Sequence, residues 1–102
     1  MRTIRKTSLR DLASPYLNAH SGVETWIKIV ESANWMSLAD LQSTIHDVDQ
    51  VKLRSGSTVT VFNICRNDFR LITAIHYNTG RVFIRDFLTH KAYDKEQWKR
   101  QN

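Results

Sequence analysis

Six consecutive residues, Thr89-His90-Lys91-Ala92-Tyr93-Asp94, place an imidazole, an ammonium, a phenol and a carboxylate on one short stretch of chain. An imidazole exchanges protons near neutrality, an ammonium stabilises anionic charge, and a phenol donates a proton or, if perturbed, accepts one. Together with the positive charge that lysine and arginine bring to a phosphate, these are the parts that RNA cleavage without a metal requires. A base takes the proton of a ribose 2′-hydroxyl, whose oxygen then attacks the adjacent phosphorus. Cations stabilise the charged transition state and an acid protonates the leaving 5′-oxygen. Each side chain also has an ordinary reading. His90 fits a surface or capping histidine, Tyr93 an edge ring with a wet hydroxyl, and Arg70 and Arg85 solvated strand residues. Lys52, Arg54 and Arg66 fit exposed loop charges.

Other chemistries find less support. His20, His46, His76 and His90 are widely separated and lack metal-ligand spacing, and none of the three glycines belongs to a phosphate-cradling run. The single cysteine, Cys65, rules out an internal disulfide framework and a multi-cysteine zinc site, and reads as a small half-buried strand residue. No metal and no cofactor is therefore expected.

Charge is distributed unevenly. Residues 1–50 hold five Lys/Arg against six Asp/Glu, whereas residues 51–102 hold ten against four, within a total of +5. Such a field attracts phosphate backbones and acidic proteins alike, so charge alone does not choose between them. No apolar run approaches the roughly 20 residues that a membrane span needs. The basic start, Met1 to Lys6, is followed by polar residues and not by an apolar signal segment. A cytoplasmic protein without membrane contact is the expectation, folded as one domain over residues 1–102 because so short a chain supports one core.

The elements that must position the chemical groups follow from hydrophobic period. Arg2 to Arg5 reads as a short strand, and Ser8 to Leu17 as a helix broken or kinked by Pro15. Ser21 and Glu24 have the spacing of a capping box for a second helix ending near Ala33, with Val23, Trp26, Ile27 and Val30 on its inner face. Ser37 and Asp40 can start a third, with Leu38, Leu41 and Ile45 inward, stopping around His46 to Asp49. Beyond Gly56, β-branched and aromatic residues predict strands over Thr58 to Cys65, Phe69 to Tyr77 and Arg81 to Leu88. Arg66-Asn67-Asp68 and the Asn78–Gly80 segment read as turns, giving an antiparallel meander with helices on one face. Alternation along the last strand puts Arg81, Phe83, Arg85 and Phe87 on one side and Val82, Ile84, Asp86 and Leu88 on the other. Arginines among aromatics on a partly exposed sheet face suit RNA, because guanidiniums bind phosphates and rings stack on bases. The residues after Asp94 read as a helical turn or loose tail, and Trp26, Trp98 and Trp35 as core, edge and core-covering or partner-contacting rings.

The hexamer Thr89-His90-Lys91-Ala92-Tyr93-Asp94, the preceding Ile84-Arg85-Asp86, the Arg66–Ile72 segment and Val61-Phe62-Asn63-Ile64 together resemble the HigB toxins of bacterial toxin-antitoxin systems. That resemblance implies a RelE-like α+β fold, with a short N-terminal strand and helices packed on one face of a small, mostly antiparallel sheet. It also implies an endoribonuclease that cuts messenger RNA on the ribosome, neutralised by a HigA-type helix-turn-helix antitoxin. By matching position, Arg70 would contact the scissile phosphate and His90, Tyr93 and Asp94 would form the catalytic segment. His90 is expected as general acid or base and Tyr93 as its proton-transfer or stacking partner. Lys91 and Arg70 are expected as phosphate stabilisers, Asp94 as an orienting or ribose-contacting group, and Lys52, Arg54, Arg66 and Arg85 as further RNA contacts. Two alternatives compete with this: a noncatalytic RNA- or ribosome-binding module, and a domain that docks on an acidic protein.

Overall fold

A computed structural model describes the backbone of residues 1–101 and the side chains of residues 1–99; the side chains of Arg100 and Gln101 and all of Asn102 lie outside the described residues. The sheet has five strands: β1 (Arg2–Ile4), β2 (Val48–Lys52), β3 (Thr58–Ile64), β4 (Phe69–His76) and β5 (Arg81–Thr89). Their spatial order is β1-β5-β4-β3-β2, antiparallel throughout except that β1 runs parallel to β5. This is the α+β arrangement that the resemblance implies. Strand β2 departs from the sequence reading, which had the third helix run on toward Asp49 and placed Lys52 on a loop. Val48-Asp-Gln-Val-Lys52 is a mostly polar edge strand held by pairing with β3, so its period carries little hydrophobic signal.

Helices α1 (Lys6–Ala13), α2 (His20–Ser32) and α3 (Leu38–Thr44) cover one face of the sheet. Helix α1 stops two residues before Pro15, and a 3-10 turn over Leu17–Ala19 leads directly into α2. For that reason the capping box expected at Ser21 does not form. The chain is already helical at Ala19 and His20, and Ser21 finds no free first-turn amide to cap. The inner face of α2 is as expected, with Val23, Trp26, Ile27 and Val30 buried. Ser37 does cap α3: its hydroxyl accepts the Asp40 N–H at 3.3 Å, while the Asp40 carboxylate accepts the Met36 N–H at 2.9 Å. Gly22 permits α2 to lie close to the end of β3, since a Cβ there would meet Cys65 Sγ at 2.8 Å. Cys65 itself falls just beyond β3, in a turn with φ 53°.

These helices bury Leu9, Leu41 and their neighbours against Phe62, Leu71, Val82, Ile84 and Phe87. The presence of Phe87 in this core corrects the simple alternation along β5. Thr73 pairs with Ile84 but Ile72 with Asp86, so Arg85 is an extra, bulged residue and the parity of the strand reverses there. Phe87 therefore joins Val82 and Ile84 on the helix face, while Phe83, Asp86 and Leu88 share the opposite face. That opposite face is not wholly open. Two short C-terminal helices, α4 (His90–Asp94) and α5 (Trp98–Gln101), fold back over it, and Trp98 packs with Leu53, Val59, Val61 and Ile72 in a second, smaller core. Trp35 is buried under the helix layer and donates from Nε1 to Thr44 Oγ1 at 3.2 Å.

Candidate active site

Pairing of β4 with β5 sets Arg70 opposite Leu88, on the sheet face away from α1–α3 and near the end of β5. The next residue, Thr89, ends the strand and caps α4, its hydroxyl accepting the Ala92 N–H at 3.2 Å. The His90 N–H donates to the Asp68 carbonyl at 2.9 Å, which ties the start of α4 to the turn between β3 and β4. Within the hexamer, His90–Asp94 is helical. His90 and Asp94, four residues apart, consequently lie on one face of α4.

Arg70 is only 8% exposed. One terminal nitrogen, Nη1, donates to the carbonyls of Asn67 (2.8 Å) and Phe69 (3.2 Å), and Nη2 meets His90 Nδ1 at 2.9 Å. A guanidinium has donors only, so Nδ1 must accept, and the neutral ring carries its proton on Nε2. That nitrogen lies 3.1 Å from Asp94 Oδ2. Both imidazole nitrogens are thus engaged, with a cation on one side and a carboxylate on the other. The His90 and Asp94 side chains are 54% and 59% exposed, so a substrate can reach them. Among the described residues Arg70 makes no ion pair with a carboxylate. A buried guanidinium satisfied by carbonyls and a neutral ring retains an uncompensated positive charge, which favours an anion beside it.

The Arg70 Cζ lies 5.6 Å from the centroid of the Tyr93 ring, which stacks on Trp98 at 5.0 Å and 18°. Trp98 Nε1 donates to the Tyr93 carbonyl at 3.0 Å, so α5 fixes the ring that α4 presents. Burial, with a smaller contribution from the negative charge of Asp49, pushes the Tyr93 phenol above its ordinary range against the opposing pull of Lys99 and Arg70. The phenol is therefore un-ionised at neutral pH, and a proton-accepting tyrosinate is not what this site offers. Trp98 was expected only as an edge ring. Its part in orienting Tyr93 depends on the C-terminal helices folding back, which no local motif announces.

The remaining candidates are dispersed. Lys91 is exposed on α4. Arg66 has φ 64° and occupies the β3–β4 turn beside Asn67 and Asp68, whose carbonyls hold Arg70 and His90. Arg54 borders a concavity shared with Lys95, Glu96, Gln97 and Lys99 along the C-terminal helices. Arg85 sits on the β5 bulge, farther up the sheet. Lys52 pairs with Thr58, five residues along β3 from the Asn63 that faces Arg70, and by strand alternation it belongs to the helix-covered face. The structure thus joins Arg70, His90, Tyr93 and Asp94 in one contact network, sets Arg66 at its margin, and leaves Lys52 on the other side of the sheet.

Over residues 19–96 the chain matches the family model HigB_toxin, described as the RelE-like toxic component of a toxin-antitoxin system. No curated protein gives a significant match to it. Among the described residues no helix is long and apolar enough to cross a membrane.

Proposed function

Because the chain belongs to the HigB family of RelE-like toxins, the toxic components of toxin-antitoxin systems, we propose that it is an endoribonuclease that cleaves messenger RNA during translation and so inhibits protein synthesis. The observation that carries this reading is the buried Arg70 guanidinium, without a carboxylate partner among the described residues, hydrogen-bonded to an exposed imidazole. A phosphodiester arriving at Arg70 supplies the missing negative charge and competes with His90 Nδ1 for the Nη2 proton. Once released, Nδ1 is free to accept the proton of the 2′-hydroxyl, and Asp94 at Nε2 stabilises the imidazolium that results. The 2′-oxygen forms its bond to phosphorus while the bond from phosphorus to the 5′-oxygen breaks. Arg70 and Lys91 stabilise the charge on the phosphate. The un-ionised Tyr93 phenol, its ring held by Trp98 and Arg70, donates to the leaving 5′-oxygen. The products are a 2′,3′-cyclic phosphate and a 5′-hydroxyl end.

As part of a toxin-antitoxin system the chain has an antitoxin partner; we assign that role to a HigA-type helix-turn-helix protein, and the ribosome as the place of action. The test is to map messenger RNA ends after brief expression of the chain, with His90→Ala and Tyr93→Phe alongside. New ends confined to the wild type are the expected result. Identical end patterns in all three would leave a noncatalytic RNA- or ribosome-binding module as the better description.

A further inference from the structure

The C-terminal helices cover β2, β3 and also the Arg70–Ile72 end of β4 with Leu88 of β5, so on the sheet face that carries Arg70 the uncovered part is the far end of β4 and β5, beside β1. By register this face pairs Arg70 with Leu88 and Ile72 with Asp86 at the covered end, and Ala74 with Phe83 and His76 with Arg81 at the open end. At that open end lies a concavity of about 360 Å³ lined by Arg5, Ala74, His76, Phe83, Ile84 and Arg85. Two backbone irregularities converge on it. Arg5 adopts φ 70°, a left-handed conformation uncommon outside glycine, as the chain turns from β1 into α1. Arg85 is the bulged residue of β5. Small Ala74 forms the floor, and His76 and the half-buried Phe83 meet edge-on with ring centroids 4.9 Å apart.

We infer that this concavity is a second RNA-binding subsite, in which Arg5 and Arg85 hold a backbone phosphate and Phe83 and His76 receive a base of the same single strand. The inference rests on the endoribonuclease reading and extends it to residues outside the catalytic network. Guanidiniums set around an aromatic pair over a small-residue floor match the phosphate-and-base alternation of a nucleic acid. Position favours RNA over an acidic protein, because the concavity lies on the same face of the sheet as Arg70. Asp86 separates the two positive regions, and its carboxylate accepts the Phe87 N–H at 2.8 Å. This face of the sheet therefore offers two discrete subsites and not one continuous basic track. Four residues of strand between Arg85 and Thr89 span roughly 13 Å, so only an RNA longer than the few nucleotides at the cleavage centre engages both.

The test measures binding and not cleavage, using the full chain made inert by His90→Ala. Affinities are determined by fluorescence anisotropy for a dinucleotide and for an unstructured RNA of roughly 12 nucleotides, across a range of salt concentrations. The variants are Arg5→Asn, because asparagine tolerates the left-handed backbone, and Arg85→Gln, separately and combined. Thermal unfolding is recorded for each, and Arg85→Lys serves as a charge-retaining companion. The combined variant should bind the longer RNA about tenfold more weakly, with a salt slope reduced by about 0.7 per lost phosphate contact; dinucleotide binding should be unchanged, and Arg85→Lys should keep the parent slope. If the folded combined variant keeps the parent's affinity and slope on the longer RNA, the second subsite is overturned while the function stands. If the parent binds neither RNA, the second subsite is overturned, while the endoribonuclease reading is decided by the mapped messenger RNA ends.

Discussion

The two faces of the sheet are built from the same strands and treated in opposite ways. On the helix side, Phe62, Leu71, Val82, Ile84 and Phe87 close against α1–α3 in a continuous apolar core. Thr73 in that layer is satisfied by donating to the Thr60 carbonyl at 2.9 Å. On the other side the apolar patch is small and sealed by Trp98, and beside it the Arg70 guanidinium is buried without a carboxylate among the described residues. Burying a charge on those terms costs several kcal/mol relative to a well-packed apolar residue, by order of magnitude. The contrast teaches that stability resides mainly behind the sheet, and that the front spends some of it to hold Arg70, His90 and Asp94 in register.

That division can be broken from either side. Phe62→Ala should remove about 3–5 kcal/mol of stability in denaturant unfolding, while RNA cleavage per folded molecule is retained. A comparable loss of specific activity would show that the faces are not separable. His90→Ala should lower the cleavage rate about 100- to 10,000-fold and cost about 1–3 kcal/mol of stability, because the buried Arg70 guanidinium loses its Nη2 partner. Calorimetry and single-turnover cleavage on the same preparation check both halves of that expectation. Tyr93→Phe keeps the stack on Trp98 and removes the proton donor, so a rate loss of at least about tenfold with unaltered RNA affinity is expected, toward the lower end of general-acid effects. Because burial holds that phenol above its usual range, the wild-type rate profile should show no tyrosinate titration near neutrality.

The smallest effect concerns the ion pairs of the helix layer. Arg10 holds Glu24 through two contacts of 2.9 Å, and Lys6 holds Glu31 at 2.9 Å. Hydrogen bonding to these cations draws both carboxyls below their ordinary range. A carboxyl whose pKa is lower when folded stabilises the protein above its unfolded pKa, and that contribution disappears as pH falls through the folded value. Melting temperature should therefore drop slightly below about pH 4, and Glu24→Gln should flatten the drop. Since both pairs are exposed, the change should be small, and cleavage measured above that range should not respond.

Much of this arrangement was legible from residues alone. The strands β3–β5 followed from runs of β-branched and aromatic residues and the inner face of α2 from its period, and the chemistry proposed above starts from the Thr89–Asp94 hexamer. What escaped depends on pairing and return of the chain. Strand β2 exists because β3 offers it an edge, and the bulge at Arg85 because β4 and β5 lose register between Ile72 and Thr73. One strand's alternation contains neither fact, which is why Phe87 was assigned to the wrong face. The four-residue spacing of His90 and Asp94 was visible, and reading the hexamer as a helix capped by Thr89 would have placed them on one side. The contact between Arg70 and His90 joins positions twenty residues apart and required the sheet.

The central claim is that Arg70 and His90 act together on a phosphodiester without a metal. Its most direct test is the chemistry of the cut ends, made with purified chain freed of its antitoxin, messenger RNA on translating ribosomes, and enough ribosome-bound magnesium but no other divalent ion. The account predicts 2′,3′-cyclic phosphate and 5′-hydroxyl termini that vanish with either His90→Ala or Arg70→Ala. Termini bearing a 3′-hydroxyl, or cyclic ends that persist at full yield in both variants, would contradict it.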